Sequence, residues 1–208
     1  ILRLLFFSQM LEGALLTYQL KGQDDPDYPQ PKKKGPVIAL IDASGSMYGE
    51  PEILAKAFIL MLAKRMEREG RNIKVILFAA SDWKLEIDLA DKKKVAKNLL
   101  DLMVRHFEGY TDFNSALRVG LENVKGKEWH AADVILFTDG ESNLNNVGLI
   151  NEWNDFKLRT SSKIYTLIVN NDTAGGLEQV SDKIWTLPMG KWDVEGSPSG
   201  LIKLIAKG

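Results

Sequence analysis

Three short stretches of this chain gather oxygen-bearing side chains around glycines: Asp42-Ala43-Ser44-Gly45-Ser46, Gly109-Tyr110-Thr111-Asp112 and Thr138-Asp139-Gly140-Glu141-Ser142. Their polar side chains are carboxylates and hydroxyls, with no nitrogen or sulfur donor among them. An all-oxygen set of low charge suits a hard, partly hydrated cation such as Mg²⁺ or Mn²⁺. The alternation Asp42-x-Ser44-x-Ser46 can direct three side chains inward from one turn, and Gly45 is expected to give that turn its backbone freedom.

The elements that must carry these stretches are legible around them. Val37 to Asp42 (VIALID) is a continuous β-branched apolar run, the mark of a strand buried on both faces of a parallel sheet. Lys74 to Ala80 and Asp133 to Phe137 read the same way, and Leu85 to Leu89 alternates like an antiparallel edge strand. Helical spacing places Ile53, Leu54, Ala57, Phe58, Met61, Leu62 and Met66 inward on a helix over 52–69 that Gly70 stops. Further helices are expected from a cap at Asp91 through Met103, over 112–125, over 149–159 and over 201–207, with strands at 163–169 and 183–187. Strands alternating with helices predict an α/β fold, an open, mostly parallel central sheet with one antiparallel edge strand and helices on both faces. Ligands of such sheets sit at the carboxyl ends of the strands, which is where the first and third polar stretches fall.

Composition removes several other functions. Lys plus Arg is 27 and Asp plus Glu is 28, so the formal charge is −1, and a nucleic-acid-binding face is not expected. The chain has no cysteine, hence no disulfide, thiolate metal site or thiol nucleophile. Its two histidines, His106 and His130, are too few for a histidine metal cluster and are read as a helix-terminus and a surface residue. The chain begins with Ile, and its apolar stretch 1–20 is interrupted by Arg3, Gln9, Glu12 and Gln19. We read it as a helical segment ending a missing N-terminal region, not as a membrane span or signal peptide. Residues 21–36, rich in proline and charge, are read as a linker, and 37–208 as the main domain.

The order D-x-S-x-S, then Thr, then Asp resembles the metal-ion-dependent adhesion site (MIDAS) of von Willebrand factor type A (vWA) domains, with Rossmann-like fold. That resemblance implies that Ser44 and Ser46 bind the metal directly. It implies that Asp42 and Asp139 act directly or through water, as does Thr111 depending on conformational state. An acidic residue of a protein partner fills the open position. More narrowly, LLTYQLKG, GPVIALIDASGSM, AKAFILMLA and FEGYTDFNSAL resemble the C-terminal vWA domain of CoxE/ViaA-type prokaryotic proteins. These are cytoplasmic and work with a MoxR-type AAA+ ATPase in chaperone-like or metalloenzyme-maturation systems.

Blander roles remain for the individual residues. Thr111 can be the N-cap of the helix that follows, Asp112 a first-turn charge and Glu141 a solvated acid. Tyr48, Tyr110 and Phe113 flank the site and can line a partner surface. The competing function is a phosphoryl-transfer or hydrolytic enzyme using Asp42, as in aspartate-based phosphatases. Those carry a second carboxylate two positions on, where this chain has Ser44, and the chain has neither a phosphate-binding glycine loop nor a G-x-S-x-G turn. A non-catalytic interaction module is therefore the expected function.

Overall fold

Among the described residues, five of the six strands run in one direction, so their carboxyl ends share one edge of the sheet. The computed structural model of the chain describes residues 35–80, 84–89, 94–130, 132–171 and 173–187. In chain order the elements are β1 (Val37–Asp42), α1 (Glu50–Glu69), β2 (Ile73–Phe78), β3 (Lys84–Asp88), α2 (Val95–Val104), α3 (Phe113–Lys125), β4 (Asp133–Thr138), α4 (Val147–Thr160), β5 (Ile164–Val169) and β6 (Lys183–Leu187). The strand order is β3-β2-β1-β4-β5-β6, with only β3 antiparallel, as expected of an edge strand. The chain winds from β1 to β2 on one side and later returns to β4 on the other. The crevice between the ends of β1 and β4 is thus the topological switch point.

β1 is buried on both faces because each face meets a helical layer. Val37, Ala39 and Ile41 enter a core with residues of α1 and α2, including Phe58, Leu62 and Leu102. Ile38 and Leu40 enter a second core with α3 and α4, including Leu117, Leu121 and Trp153. At the base of the sheet, buried Arg71 donates to the Gly35 carbonyl at 2.6 Å and to Asp133 at 3.1 Å, fixing the start of β1 against the start of β4.

Boundaries move for local reasons. α1 begins at Glu50 with Pro51 in its first turn, and Gly70 ends it at φ 64°, its N–H donating to the carbonyls of Met66 and Glu67. Ile53, expected inward, is largely exposed, whereas Ile59 is fully buried. β2 stops at Phe78, where it pairs with Lys84 across the hairpin. α4 begins at Val147, because the Asn146 carboxamide accepts from the Leu149 N–H at 3.0 Å. The expected segment 1–20, most of the linker 21–36, the Asp91 cap and the helix 201–207 lie outside the described residues. Among the described residues, no helix is long and apolar enough to cross a membrane.

Packing across β1 is tight at Gly120 of α3. A Cβ there lies 3.0 Å from Leu40 Cδ1 and 3.4 Å from Trp153 Cζ2. Gly120→Val should lower unfolding stability by about 1–3 kcal/mol through overpacking. Denaturant titration checks this; an unchanged or raised midpoint would mean that the α3–β1 contact has room to spare.

Candidate functional site

The first polar stretch leaves β1 at its carboxyl end and turns at once. Asp42 is fully buried, and its Oδ1 accepts the Ser44 N–H at 3.0 Å. This short Asx-type turn leads into a single 3₁₀ turn, Gly45–Met47, whose Met47 plugs the core. The Ser44 and Ser46 hydroxyl oxygens lie 3.1 Å apart, Ser44 buried and Ser46 open to solvent. Two oxygens of the expected set thus share one small space at the lip of the sheet.

The other two stretches are tied to the first by backbone and side-chain bonds. The Glu108 N–H donates to the Ala43 carbonyl at 2.8 Å, and the Gly45 N–H to the Gly109 carbonyl at 2.9 Å. The loop carrying Thr111 is therefore stitched to the loop carrying the serines. Ser142, after β4, donates to the Thr111 carbonyl at 3.1 Å. Asn114 accepts the N–H groups of Asn145 and Asn146 through its Oδ1, at 3.3 and 3.1 Å. Asp139 is buried, and its Oδ1 accepts the Glu141 N–H at 3.0 Å. Gly140 allows this turn: at φ 78°, a Cβ there would run into the Thr173 carbonyl.

The electrostatics are set by Asp42. Its Oδ2 accepts the Thr138 hydroxyl at 2.6 Å, and Thr138 Oγ1 in turn accepts the Gly140 N–H at 3.1 Å. Burial pushes the Asp42 carboxyl up to about 6. Hydrogen bonds from Thr138 and Ser44 oppose the shift, and nearby Asp139 adds to it. The stretches 42–50, 106–114 and 138–148 carry Asp42, Glu50, Glu108, Asp112, Asp139 and Glu141, with no Lys or Arg. A buried carboxylate without a cationic partner is expensive, and a divalent ion at this lip would relieve it. The donor set, all oxygen with two carboxylates, fits a hard cation. Among the described residues no three His, Asp or Glu side chains form a metal cluster, so any ion here would depend on hydroxyl donors.

The von Willebrand factor type A domain family matches residues 37–141. The chain belongs to that family. An uncharacterized protein of Methanocaldococcus jannaschii is 30% identical over 180 residues, 86% of this chain; the chain spans 39% of that relative's length. The vWA fold is shared with the crystal structure of BatB, a conserved hypothetical protein of Bacteroides thetaiotaomicron: TM-score 0.57, 16% identity, covering 84% of this chain and 100% of that one. Proximal thread matrix protein 1 of the mussel byssus, solved with a zinc-occupied MIDAS motif, aligns at TM-score 0.59 and 22% identity over 83% of this chain and 47% of its own. vWA domains are metal-dependent protein-interaction modules, most of them without enzymatic activity.

Within this vWA fold, Asp42, Ser44 and Ser46 sit on the turn after β1, Thr111 on the loop before α3 and Asp139 on the turn after β4. Asp112, not Thr111, caps α3, accepting the Asn114 N–H at 3.0 Å. Gly45 does not occupy the left-handed region; the positive φ angles around the site belong to Gly49, Gly109 and Gly140. Phe113 is 0% exposed and belongs to the core, whereas Tyr48 at 67% and Tyr110 at 85% face solvent. His130 is exposed, as read from the sequence, and His106, two residues past the end of α2, is exposed too. Sequence reasoning missed Thr138 as the donor to Asp42. Its place at the end of a strand adjacent to β1 was the available signal.

The raised Asp42 value gives a signed pH dependence for the metal-free domain. A carboxyl whose folded value exceeds its ordinary 3.8 favours folding while protonated and loses that advantage as pH rises through about 6. In EDTA, Asp42→Asn should therefore stabilise the domain at pH 7.5 by up to about 3 kcal/mol, and leave it near parental stability at pH 4. Urea titration at both pH values checks this; an equal effect at both would show that ionisation of Asp42 is not the cause.

Proposed function

We propose that this chain is a non-catalytic docking domain whose MIDAS holds Mg²⁺ or Mn²⁺ and whose partner completes the metal shell with an acidic side chain. Ser44 and Ser46 bind the ion directly in this reading, with Asp42, Asp139 and Thr111 acting directly or through water. The observation that carries it is the buried Asp42, held by Ser44 and Thr138 at the switch point of the sheet. When bound, the ion supplies a Lewis-acid position open to an exogenous carboxylate. The protein's own residues orient the donors and set the charge around them. Glu50, Glu108, Asp112 and Glu141 make that rim repel a carboxylate while no cation is present. Tyr48 and Tyr110 supply exposed aromatic area beside it.

The partner we propose is a MoxR-type AAA+ ATPase, in the cytoplasm, within a chaperone-like or metalloenzyme-maturation system. The support is the resemblance of GPVIALIDASGSM, AKAFILMLA and FEGYTDFNSAL to CoxE/ViaA-type sequences. In this reading residues 1–36 are a helical segment and linker leading from a longer N-terminal region into the vWA domain. The enzymatic alternative is disfavoured by the state of Asp42. Both its oxygens accept hydrogen bonds, it is closed to solvent, and Ser44 stands where a phosphatase places its general acid.

The test is capture of the MoxR-type ATPase from the same genome on the immobilised chain, in Mg²⁺ and in EDTA, with Thr111→Ala beside the parent. Chelation and the substitution should each weaken binding at least tenfold, and the purified chain should release no phosphate from ATP or p-nitrophenyl phosphate. Binding indifferent to both changes would overturn the metal-centred reading. Phosphatase turnover abolished by Asp42→Asn would restore the enzymatic one.

A further inference from the structure

A second buried charge lies one layer below the rim. Lys56, between Ala55 and Ala57 in the apolar face of α1, is only 6% exposed. Its ammonium donates to Glu52 Oε1 at 2.5 Å, to the Met103 carbonyl at 3.0 Å and to the Arg105 carbonyl at 2.5 Å. It also stands 5.4 Å from the centre of the Phe107 ring. All three N–H groups are thereby used, and Glu52, itself buried, balances the charge.

The partners of Lys56 say what the pair does. α2 ends at Val104, and the last carbonyls of a helix have no partner within it. Lys56 takes two carbonyls at that point, one inside the last turn and one just beyond it. Arg105 is itself extended, and beyond it the chain passes Gly109, at φ 104°, to reach Thr111. It is held by Lys56 at its start and by the Glu108–Ala43 and Gly45–Gly109 bonds further along. α1 itself starts just after the serine turn. A buried ion pair is often replaceable by apolar groups without loss of stability, so folding alone does not demand this one.

We infer that Lys56, balanced by Glu52, is a positioning residue for the metal rim: it anchors the loop that places Thr111 against the serine turn. This rests on the MIDAS reading above and adds a named determinant to it. Because the pair is neutral and its contacts are to the loop backbone, its effect on the ion passes through Thr111 and not through charge.

The test is a double-mutant cycle on Mn²⁺ affinity, measured on the full chain by electron paramagnetic resonance. Glu52→Leu with Lys56→Met removes both charges together and leaves neither buried alone. It should weaken Mn²⁺ binding about five- to twentyfold when Thr111 is present, and less than twofold in the Thr111→Ala background. Lys56→Arg, which still reaches the two carbonyls, should stay within about twofold of the parent. No loss beside Thr111, equal loss in both backgrounds, or full loss in Lys56→Arg overturns the inference while leaving the metal site standing. A parent chain that binds no Mn²⁺ overturns the site and this inference with it. Should the apolar pair unfold, Glu52→Gln with Lys56→Gln runs the same cycle, since it also removes the ammonium without stranding a charge.

Discussion

A carboxylate buried at the end of the central strand is the constraint around which this molecule is arranged. Burial favours the acid form of Asp42, pushing its carboxyl up to about 6. Three neutral groups hold it in one orientation: the Ser44 backbone, the Ser44 side chain and the Thr138 hydroxyl. Each requires a particular element to end at a particular place. β1 must stop at Asp42 for the turn to form. β4 must run alongside, in register, so that Thr138 arrives level with it. The sheet order supplies that adjacency, because β1 and β4 are neighbours although Asp42 and Thr138 lie 96 positions apart in the sequence.

The loops around this carboxylate are held more firmly than their irregular backbone suggests. Each is tied to another: the serine turn to the loop before α3, that loop to the turn after β4, and the start of α3 to the residues that begin α4. The links are backbone amides and short polar side chains, which reach only when the chains are already adjacent. Rigidity at the rim is therefore inherited from the two cores below it, and Gly120 against Leu40 shows how little slack those cores leave.

Much of this was written in the sequence. Strands buried on both faces appear as unbroken apolar runs, so VIALID and DVILF could be placed almost to the residue. The first and third oxygen-bearing stretches declared themselves because they follow such runs directly. What stayed hidden has one physical cause: the meaning of a polar residue depends on what lies across from it in space. Nothing in the sequence marks Lys56, whose partners come into view only where α2 ends beside it. Thr138 stands in the third polar stretch, but its bond to Asp42 exists only because β4 lies beside β1. Phe113 reads as a rim aromatic because it adjoins Thr111, yet the first turn of α3 rotates it into the core. Gly45 looked necessary for the turn, but the positive φ angles fell on Gly109 and Gly140, and at Gly140 a Cβ would lie 2.4 Å from the Thr173 carbonyl oxygen.

The direction of the strands fixes how the domain can be tethered. Gly35 and Pro36 enter at the base, beside Arg71, and six residues of β1 then climb about 20 Å to the rim. The described chain therefore starts at the edge opposite the oxygen-lined crevice, a strand's length below it. β6 climbs the same way and delivers Leu187 at rim height, about 14 Å to the side and three strands from β1. The two ends of the described domain are thus unequal as attachment points: Gly35 lies a strand's length away from the crevice, whereas Leu187 lies at its height.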